Sequence, residues 1–492
     1  MKVLINFLKT KPVFLFLLPV FFVFHGFIEN FLLVPVSEAS ILTLEYLGAS
    51  ILLLGINYLF FHNILKSGLA SFFILVLVFF FGSLHDTLKS NFHDSLITRY
   101  SFLLPVFFIA FLILYIILKR KKIINPRIII YLNFLLLLLI LIDIFSFLDR
   151  ILVASKQPSF WHGQQHIISC DTCNRPDVYL IIADEYTRSD VLKEKFQFDN
   201  SGFENALKER NFNILENSSS NYNHTHLSLA SMLQMNYLSL TDTVLTEDLI
   251  LKTIESFRLT AVTQFFDSLG YKFHNLSIFN IDGQFSPVDD PFIPSNISLI
   301  TSQTMYARVD KDIKFNLVTW NIIRVPTAEQ SQVWKNNMII LHKAMDLAST
   351  RSLHPKFAYI HLIMPHFPYY TDRNGKPYPS PDYQSLSDKT RYVEYLQFSN
   401  KKIIELIDRI KEQSSRPPLI LLAGDHGFRH YAEPTERKYY FLNFCALSMP
   451  GGNYSHFYPG MSNINLFRTI LNTQFGQQLP MLKDSMIFLQ EK

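Results

Sequence analysis

The stretch Asp177-Val178-Tyr179-Leu180-Ile181-Ile182-Ala183-Asp184-Glu185 reads as a buried strand that ends in acid. Val178–Ala183 is apolar without a break and is bounded by polar residues, the pattern of a strand covered on both faces. A helical stretch follows to about Arg210. Two later runs have the same character, Phe357–Met364 and Leu419–Ala423. Apolar residues recur at three- and four-residue steps over 332–349 and 389–412, which predicts helices there. Strands alternating with helices predict an α/β domain with a mostly parallel central sheet and helices on both faces. In such sheets, sites form beyond the carboxyl ends of the strands.

All three runs lead into groups that can bind a cation. Val178–Ala183 is followed by Asp184-Glu185, Leu419–Ala423 by Gly424-Asp425-His426-Gly427, and Phe357–Met364 by Pro365-His366-Phe367-Pro368-Tyr369. Taken singly, these are a helix cap, a turn and a loop histidine. Their convergence on one predicted sheet edge is what argues for a site. Carboxylates and imidazoles without thiolates suit a divalent metal ion, zinc or manganese first, with magnesium or calcium as further choices. The three cysteines do not form a zinc ribbon. Cys170 and Cys173 are placed to close a small disulfide or to stay as thiols in a linker, and Cys445 lies in the apolar run Tyr439–Met449 as a small buried hydrophobe.

Upstream the composition changes. The chain has 492 residues, 49% hydrophobic, and its 46 Phe are concentrated toward the N-terminus. Five stretches approach the roughly 20 apolar residues that span a bilayer: 12–36, 41–63, 68–84, 100–118 and 127–148. The first is too long for a cleaved signal peptide and reads as a retained helix. Basic residues fall at the N-terminus (Lys2, Lys9, Lys11), in the second connection (Lys66) and in the fourth (Lys119, Arg120, Lys121, Lys122, Arg127); the intervening connections are poor in them. This alternation predicts a multi-pass protein of the cytoplasmic membrane, N-terminus inside and C-terminal domain outside. The expected division is 1–150 transmembrane, 151–176 linker and 177–492 catalytic. Ionisable residues within the spans, His25, Glu29, Glu45 and Asp143, are costly in lipid. His25 and Glu29 share one helix face and could meet a lipid headgroup or each other; the plain reading is a polar pair facing the bundle. The net charge of +4 and the lack of a basic stripe argue against nucleic acid as a partner.

Residues 177–185, Leu422–Gly427 and His361–Tyr369 resemble, in order, the metal-ligand and histidine segments of the alkaline phosphatase/sulfatase superfamily. The resemblance covers about 175–475. The plan of five helices followed by this domain resembles lipoteichoic acid synthases and phosphoethanolamine transferases. It implies that Asp184, Asp425 and His426 bind the metal, with Glu185 a further ligand, and that His366 contacts substrate or a second metal. It also implies a nucleophile between Asp184 and His366. In Ser218–Leu233, Thr225 falls at the nucleophile position and would be both nucleophile and ligand. Leu227 and Leu229 stand where a sulfatase's modification motif has proline and arginine, so a formylglycine is not expected. Threonine is the nucleophile of the phosphodiesterase and phospholipid-transferase branches. As a plain N-cap, Thr225 or Ser228 would have no chemistry. Asn223-His224-Thr225 also fits a glycosylation sequon, here a coincidence.

Three functions remain open from the sequence. The first is a transferase moving a phospho-headgroup from a membrane lipid to an envelope glycan or lipid through a phospho-threonine. The second is a membrane-tethered hydrolase of sulfate or phosphate esters. The third is an inactive relative that senses lipid or scaffolds envelope proteins. In either enzyme, His366 would be catalytic, and His361 and His430 would contact the transferring group.

Overall fold

Residues 7–31, 34–92, 95–154, 173–238, 244–288, 297–310, 331–378 and 387–491 are described by a computed structural model. They divide into two units, Met1–Gln157 with Pro294–Arg324, and Pro158–Ile293 with Val325–Lys492. The expected linker falls mostly outside the described residues, and Cys170 with it; Cys445 is a free, buried thiol.

The first unit is helical: α1 (Phe14–Glu29), α2 (Val36–Phe61), α3 (Ile64–Phe79), α4 (Phe81–Phe92), α5 (Tyr100–Arg120) and α6 (Pro126–Ala154). Among the described residues, three helices, α2, α5 and Pro126–Leu152 of α6, are long and apolar enough to cross a membrane. The pair α3 and α4, bent by 52°, makes a fourth if counted as one span. The expected count of five is not reached by length, because α1 has only 16 residues. The expected third span also differs: its helix breaks at Phe80 and continues to Phe92. Apolar side chains such as Leu52, Leu59, Phe108 and Phe134 stay exposed, as lipid-facing residues do.

α1 is buried along much of its length, including Phe14, Leu15, Leu18, Phe22 and Val23, and packs on α6. Asn133 of α6 fixes the start of α1. Its Oδ1 accepts from the Phe14 N–H (2.5 Å), and its Nδ2 donates to the carbonyls of Leu8 (2.8 Å) and Lys11 (3.0 Å). Further along, Asp143 meets His25, and Arg150 donates to the Glu29 carbonyl at 3.2 Å. Partners rise together in number, so the two helices run parallel.

A segment far away in sequence also belongs to this unit. Ile300 lies where a Cβ on Gly26 would come within 3.0 Å of it, the Gly82 N–H donates to the Gln303 carbonyl at 2.8 Å, and Arg308 pairs with Asp86 at 2.6 Å. The sequence reading assigned these residues to the catalytic domain.

The second unit is built on a mixed sheet. Its strands are β1 (Val178–Ala183), β2 (Asn213–Ile214), β4 (Lys272–Leu276), β5 (Lys356–Leu362), β6 (Leu419–Gly424) and β7 (Cys445–Ser448), in the order β2-β7-β6-β1-β5-β4. β1 lies parallel between β5 and β6, β4 is parallel to β5, and β7 and β2 close one side antiparallel. A separate pair joins β3 (Val244–Leu245) to β8 (Gln490–Glu491). The helices are α7 (Ser189–Phe196), α8 (Ser201–Glu209), α9 (Thr225–Gln234), α10 (Glu247–Ser256), α11 (Ala261–Ser268), α12 (Gln332–Ser349), α13 (Lys389–Gln413) and α14 (Asn463–Phe475). Every residue of β1, β5 and β6 is buried, which is why these strands read as unbroken apolar runs. Register places Ala183 beside Leu362 and Gly424, so all three chains leave the sheet at one level.

Candidate metal and catalytic site

The turn after β1 separates two adjacent acids. Glu185 has φ 60°, a left-handed conformation uncommon outside glycine. Asp184 lies in one group of potential ligands and Glu185 in another. Asp184, Asp425 and His426 each offer a ligand atom within 4.8 Å of the others, as do Glu185, His366 and His430.

In the first group the backbone orients Asp425 and His426, and Asp184 faces the His361 side chain. Asp425 Oδ1 accepts from the Glu185 and His426 N–H groups, both at 2.9 Å, while its Oδ2 is buried and accepts no hydrogen bond. Asp184 Oδ2 lies 3.4 Å from His361 Nε2, and its Oδ1 is likewise buried without a hydrogen bond. His426 Nδ1 donates to the Gly427 carbonyl at 2.8 Å, which leaves the Nε2 lone pair facing Asp425 Oδ2 (3.3 Å) and Asp184 Oδ1 (3.8 Å). Two unsatisfied carboxylate oxygens and one imidazole lone pair therefore converge. This donor set fits a divalent cation.

The second group repeats the scheme. Glu185 Oε1 accepts from the Arg429 N–H at 2.8 Å, and Oε2 is buried without a hydrogen bond. His366 Nε2 is 4.0 Å from Oε2, and His430 Nε2 is 3.7 Å from Oε1. Glu185, expected beside Asp184 as a ligand of one metal, thus joins the histidines instead.

The electrostatics follow from burial and charge. Burial opposes ionisation of Asp184, but His366, His361 and His426 hold its carboxyl well below the usual carboxylate range. Burial and the Asp184 charge push Asp425 up to about 7. Burial, reinforced by Arg429, keeps His426 neutral, as a ligand must be. For His366, burial is outweighed by Asp184 and Glu185, and the imidazole is raised above its ordinary value.

Thr225 opens α9, and its Oγ1 lies 3.2 Å from His426 Nε2. The neighbouring hydroxyls are engaged elsewhere. Ser228 Oγ donates to the Asp425 carbonyl at 2.5 Å and Ser231 Oγ to the Ser228 carbonyl at 2.8 Å, both fully buried. Ser228 therefore ties α9 to the Asp425 turn. The segment before Thr225 is held from the C-terminus: Asn223 exchanges two hydrogen bonds with the Leu489 backbone, at 2.9 and 3.0 Å.

His361, expected among the substrate contacts, sits fully buried in β5, stacked on Phe279 at 5.8 Å and facing Asp184. It supports the carboxylate from behind. Arg429 was missed by the sequence reading; its Nη1 lies 2.9 Å from His224 Nδ1, one residue before Thr225. Its only signal was a cation three residues past His426.

Residues 176–469 match the sulfatase family. The chain belongs to that family. It is an enzyme family, and this member pairs a sulfatase-type α/β domain with an apolar helical region. No curated protein matches it. Among solved structures, the C-terminal periplasmic domain of EcEptC from Escherichia coli, in complex with zinc, is similar at 13% identity over 62% of this chain and 84% of that one, TM-score 0.41. The periplasmic domain of phosphoethanolamine transferase EptC from Campylobacter jejuni is similar at 15% identity over 62% and 91%, TM-score 0.34. Phosphonate monoester hydrolase SpPMH from Silicibacter pomeroyi is similar at 16% identity over 63% and 75%, TM-score 0.37.

Proposed function

We propose that this sulfatase-family chain is a membrane-anchored phosphotransferase that moves a phospho-headgroup from a membrane lipid to an envelope glycan or lipid, through a phospho-threonine at Thr225. The observation that carries this reading is the Thr225 hydroxyl at the N-terminus of α9, 3.2 Å from His426 in the first ligand group. Helix N-terminal N–H groups favour an anionic phosphoryl group at that place. The pattern for a modified sulfatase nucleophile is broken at Leu227 and Leu229.

A divalent cation, zinc or manganese, held by Asp184, Asp425, His426 and Thr225 Oγ1, would lower the pKa of the threonine hydroxyl and offset phosphoryl charge. Thr225 Oγ1 attacks phosphorus, and its proton leaves to solvent. The P–Oγ1 bond forms, the bond from phosphorus to the lipid alcohol breaks, and His366 gives that oxygen a proton. The acceptor hydroxyl then gives a proton to His366 and attacks phosphorus, the P–Oγ1 bond breaks, and Thr225 Oγ1 takes a proton back from solvent. The Asp184 and Glu185 charges, which outweigh burial and raise His366 above its ordinary value, suit it to the first step. His430 and Arg429 flank the transferring group, and His361 orients Asp184.

In this reading the chemistry takes place at the outer face of the cytoplasmic membrane, with the N-terminus inside. The alternation of basic connections supports it. So does the parallel run of α1 and α6, which calls for an odd number of crossings between them. The helix α2, the bent pair α3 and α4, and α5 supply three.

The test is the full-length chain, loaded with zinc or manganese, in vesicles holding phospholipid labelled in its headgroup. Label on a glycan or lipid acceptor is expected. Release of label to water alone would replace the transferase with a hydrolase. No turnover with either metal, from folded protein, would refute both. Asp425→Asn and His426→Ala are expected to lose bound metal and turnover together while the domain stays folded.

A further inference from the structure

Between Ser220 and Thr225 the chain enters the site, and much of what holds it there comes from the C-terminal segment Asp484–Glu491. The Ile487 N–H donates to the Asn221 carbonyl at 2.8 Å, and Asn221 Nδ2 donates to the Ser485 carbonyl at 3.0 Å. Asn223 takes the Leu489 N–H on its Oδ1 and donates from its Nδ2 to the Leu489 carbonyl. The Leu489 side chain is fully buried and forms one cluster with Tyr222 and Leu227, which flank Thr225 in sequence. Asp484 fixes one end of the segment by accepting from the Ser462 N–H (2.8 Å) and the Tyr458 hydroxyl (2.7 Å), and the pairing of β8 with β3 fixes the other.

The same Leu489 carbonyl sets a second group. A carbonyl oxygen can only accept, so His224 Nε2, 3.2 Å from it, carries the ring proton. Nδ1 then presents a lone pair, and Arg429 Nη1 donates to it at 2.9 Å. The opposite tautomer would set an N–H against the guanidinium. Arg429 in turn holds Glu185 Oε1 through its backbone N–H.

The first ligand group is oriented from elsewhere. Asp425 is held by the Glu185 and His426 N–H groups, and His426 by the Gly427 carbonyl. The body of α9 is tied to the Asp425 turn through Ser228. Release of Asp484–Glu491 would therefore leave these ligands and the helix in place. It would free the turn that carries Thr225 and the ring that aims Arg429. The segment also lies beyond residues 176–469, which match the sulfatase family, so membership of that family assigns it no part.

We infer that Leu489 is a positioning residue for the proposed transfer: it seats the Thr225 hydroxyl beside His426 by way of Asn223, and aims Arg429 by way of His224. The C-terminal segment thus acts on both sides of the site from outside the two ligand groups. This rests on the reading of Thr225 as the nucleophile.

The test compares full-length Leu489→Ala with wild type in the vesicle assay, in competitive zinc titration and in amide hydrogen exchange. The variant should lower kcat about 100-fold, the scale of misplacing a reacting group by about 1 Å, with zinc affinity unchanged. Exchange should quicken by about tenfold or more over residues 221–233, the worth of the two Asn223 bonds together, and stay as in wild type over β1 and β6. Leu489→Met, which refills the buried volume, should recover most of the lost kcat. If Leu489→Ala does not fold, Asn223→Ala, which removes both side-chain bonds to Leu489, decides by the same three measurements. Wild-type kcat in the folded variant would overturn the inference. So would zinc affinity falling in step with kcat, or faster exchange spread over β1 and β6, since both mark general support of the fold. A wild type without turnover, or without phosphate on Thr225, would refute the proposed reaction instead; exchange changes confined to 221–233 would then still uphold Leu489 as the residue that seats this turn, and unchanged exchange would refute that too.

Discussion

Gly427→Ala tests whether the backbone of the Asp425–Gly427 turn sets the ligand geometry. A Cβ at Gly427 would collide with the Tyr439 carbonyl oxygen and come within 3.0 Å of both the N and the O of Leu442. All three are backbone atoms, so no rotamer change relieves the clash. The Gly427 N–H is also bonded to the Tyr440 carbonyl at 2.9 Å, and the Gly427 carbonyl accepts the His426 Nδ1–H. Any shift of Gly427 therefore turns the imidazole. Overpacking of this kind costs about 1–3 kcal/mol. Loss of an orienting partner typically lowers metal affinity by about 10–100-fold. Both changes are expected here, read by thermal unfolding and by competitive zinc titration of the full-length protein. Gly202→Ala is the control, since its Cβ meets nothing within 4 Å. It should be neutral or stabilise by up to about 1 kcal/mol. If Gly427→Ala bound zinc with wild-type affinity, the turn would not be the element that holds His426.

Thr225→Ala should lower turnover by about 10³-fold or more, with no phosphate on its peptide after an acid quench, whereas Ser228→Ala should mainly cost stability through its lost bond to the Asp425 carbonyl; a fully active Thr225→Ala enzyme would point to direct attack by water. Asp282 is pushed up from 3.8 to about 6 by burial and by Asp267. A raised acid binds its proton more tightly in the folded state, so the contribution of Asp282 to stability is largest below pH 4, falls between pH 4 and 6 and stays level above. A shift of this size is worth about 3 kcal/mol at full strength. Partial solvation reduces it, so Asp282→Asn should stabilise by about 1 kcal/mol at pH 7 in urea unfolding. Asn133→Leu strands three backbone groups and should destabilise the helical unit by about 1–3 kcal/mol, read as a lower unfolding midpoint; no change would mean that those groups find other partners.

The parts of the site that the sequence displays are those where burial constrains composition on both faces. β1, β5 and β6 are covered above and below, so their apolar runs, and the polar residues that end them, stand out. The helices at 332–349 and 389–412 match α12 and α13 because amphipathic periodicity survives along one half-buried face. β4, with the sequence Lys272-Phe-His-Asn-Leu276, is an edge strand and lacks that signature. Glu185 was expected to follow Asp184 to one metal, because nothing in the composition signals a left-handed residue at a non-glycine position. The docking of Ile300, Gln303 and Arg308 into the helical unit is a property of shape: its mark is Gly82, whose Cβ would lie 2.6 Å from Gln303 Oε1, and an isolated glycine has many readings. The count of spans by helix length and composition differs from the sequence reading for a related reason, since apolar content does not report where a helix bends or stops.

The left-handed turn at Glu185 also bears on the proposed reaction. An in-line displacement needs the attacking and departing oxygens on opposite sides of phosphorus. Thr225 stands with the Asp184, Asp425 and His426 group, while His366 and His430 surround Glu185. In the proposed reaction, one backbone reversal between adjacent residues would separate the residues around the nucleophile from those that serve the leaving group. The two sides are mechanically joined, because the Glu185 N–H bonds Asp425 Oδ1 and the Tyr392 hydroxyl donates to the Glu185 carbonyl at 2.8 Å. Arg429 spans them, its N–H on Glu185 and its guanidinium on His224 beside Thr225. A phosphoryl group between the sides would meet cationic or neutral donors from both, and the three buried carboxylates would be tolerable only with cations on their unsatisfied oxygens. The carboxylates whose burial calls for cations are therefore those that would make the site selective for a metal-bound anionic ester.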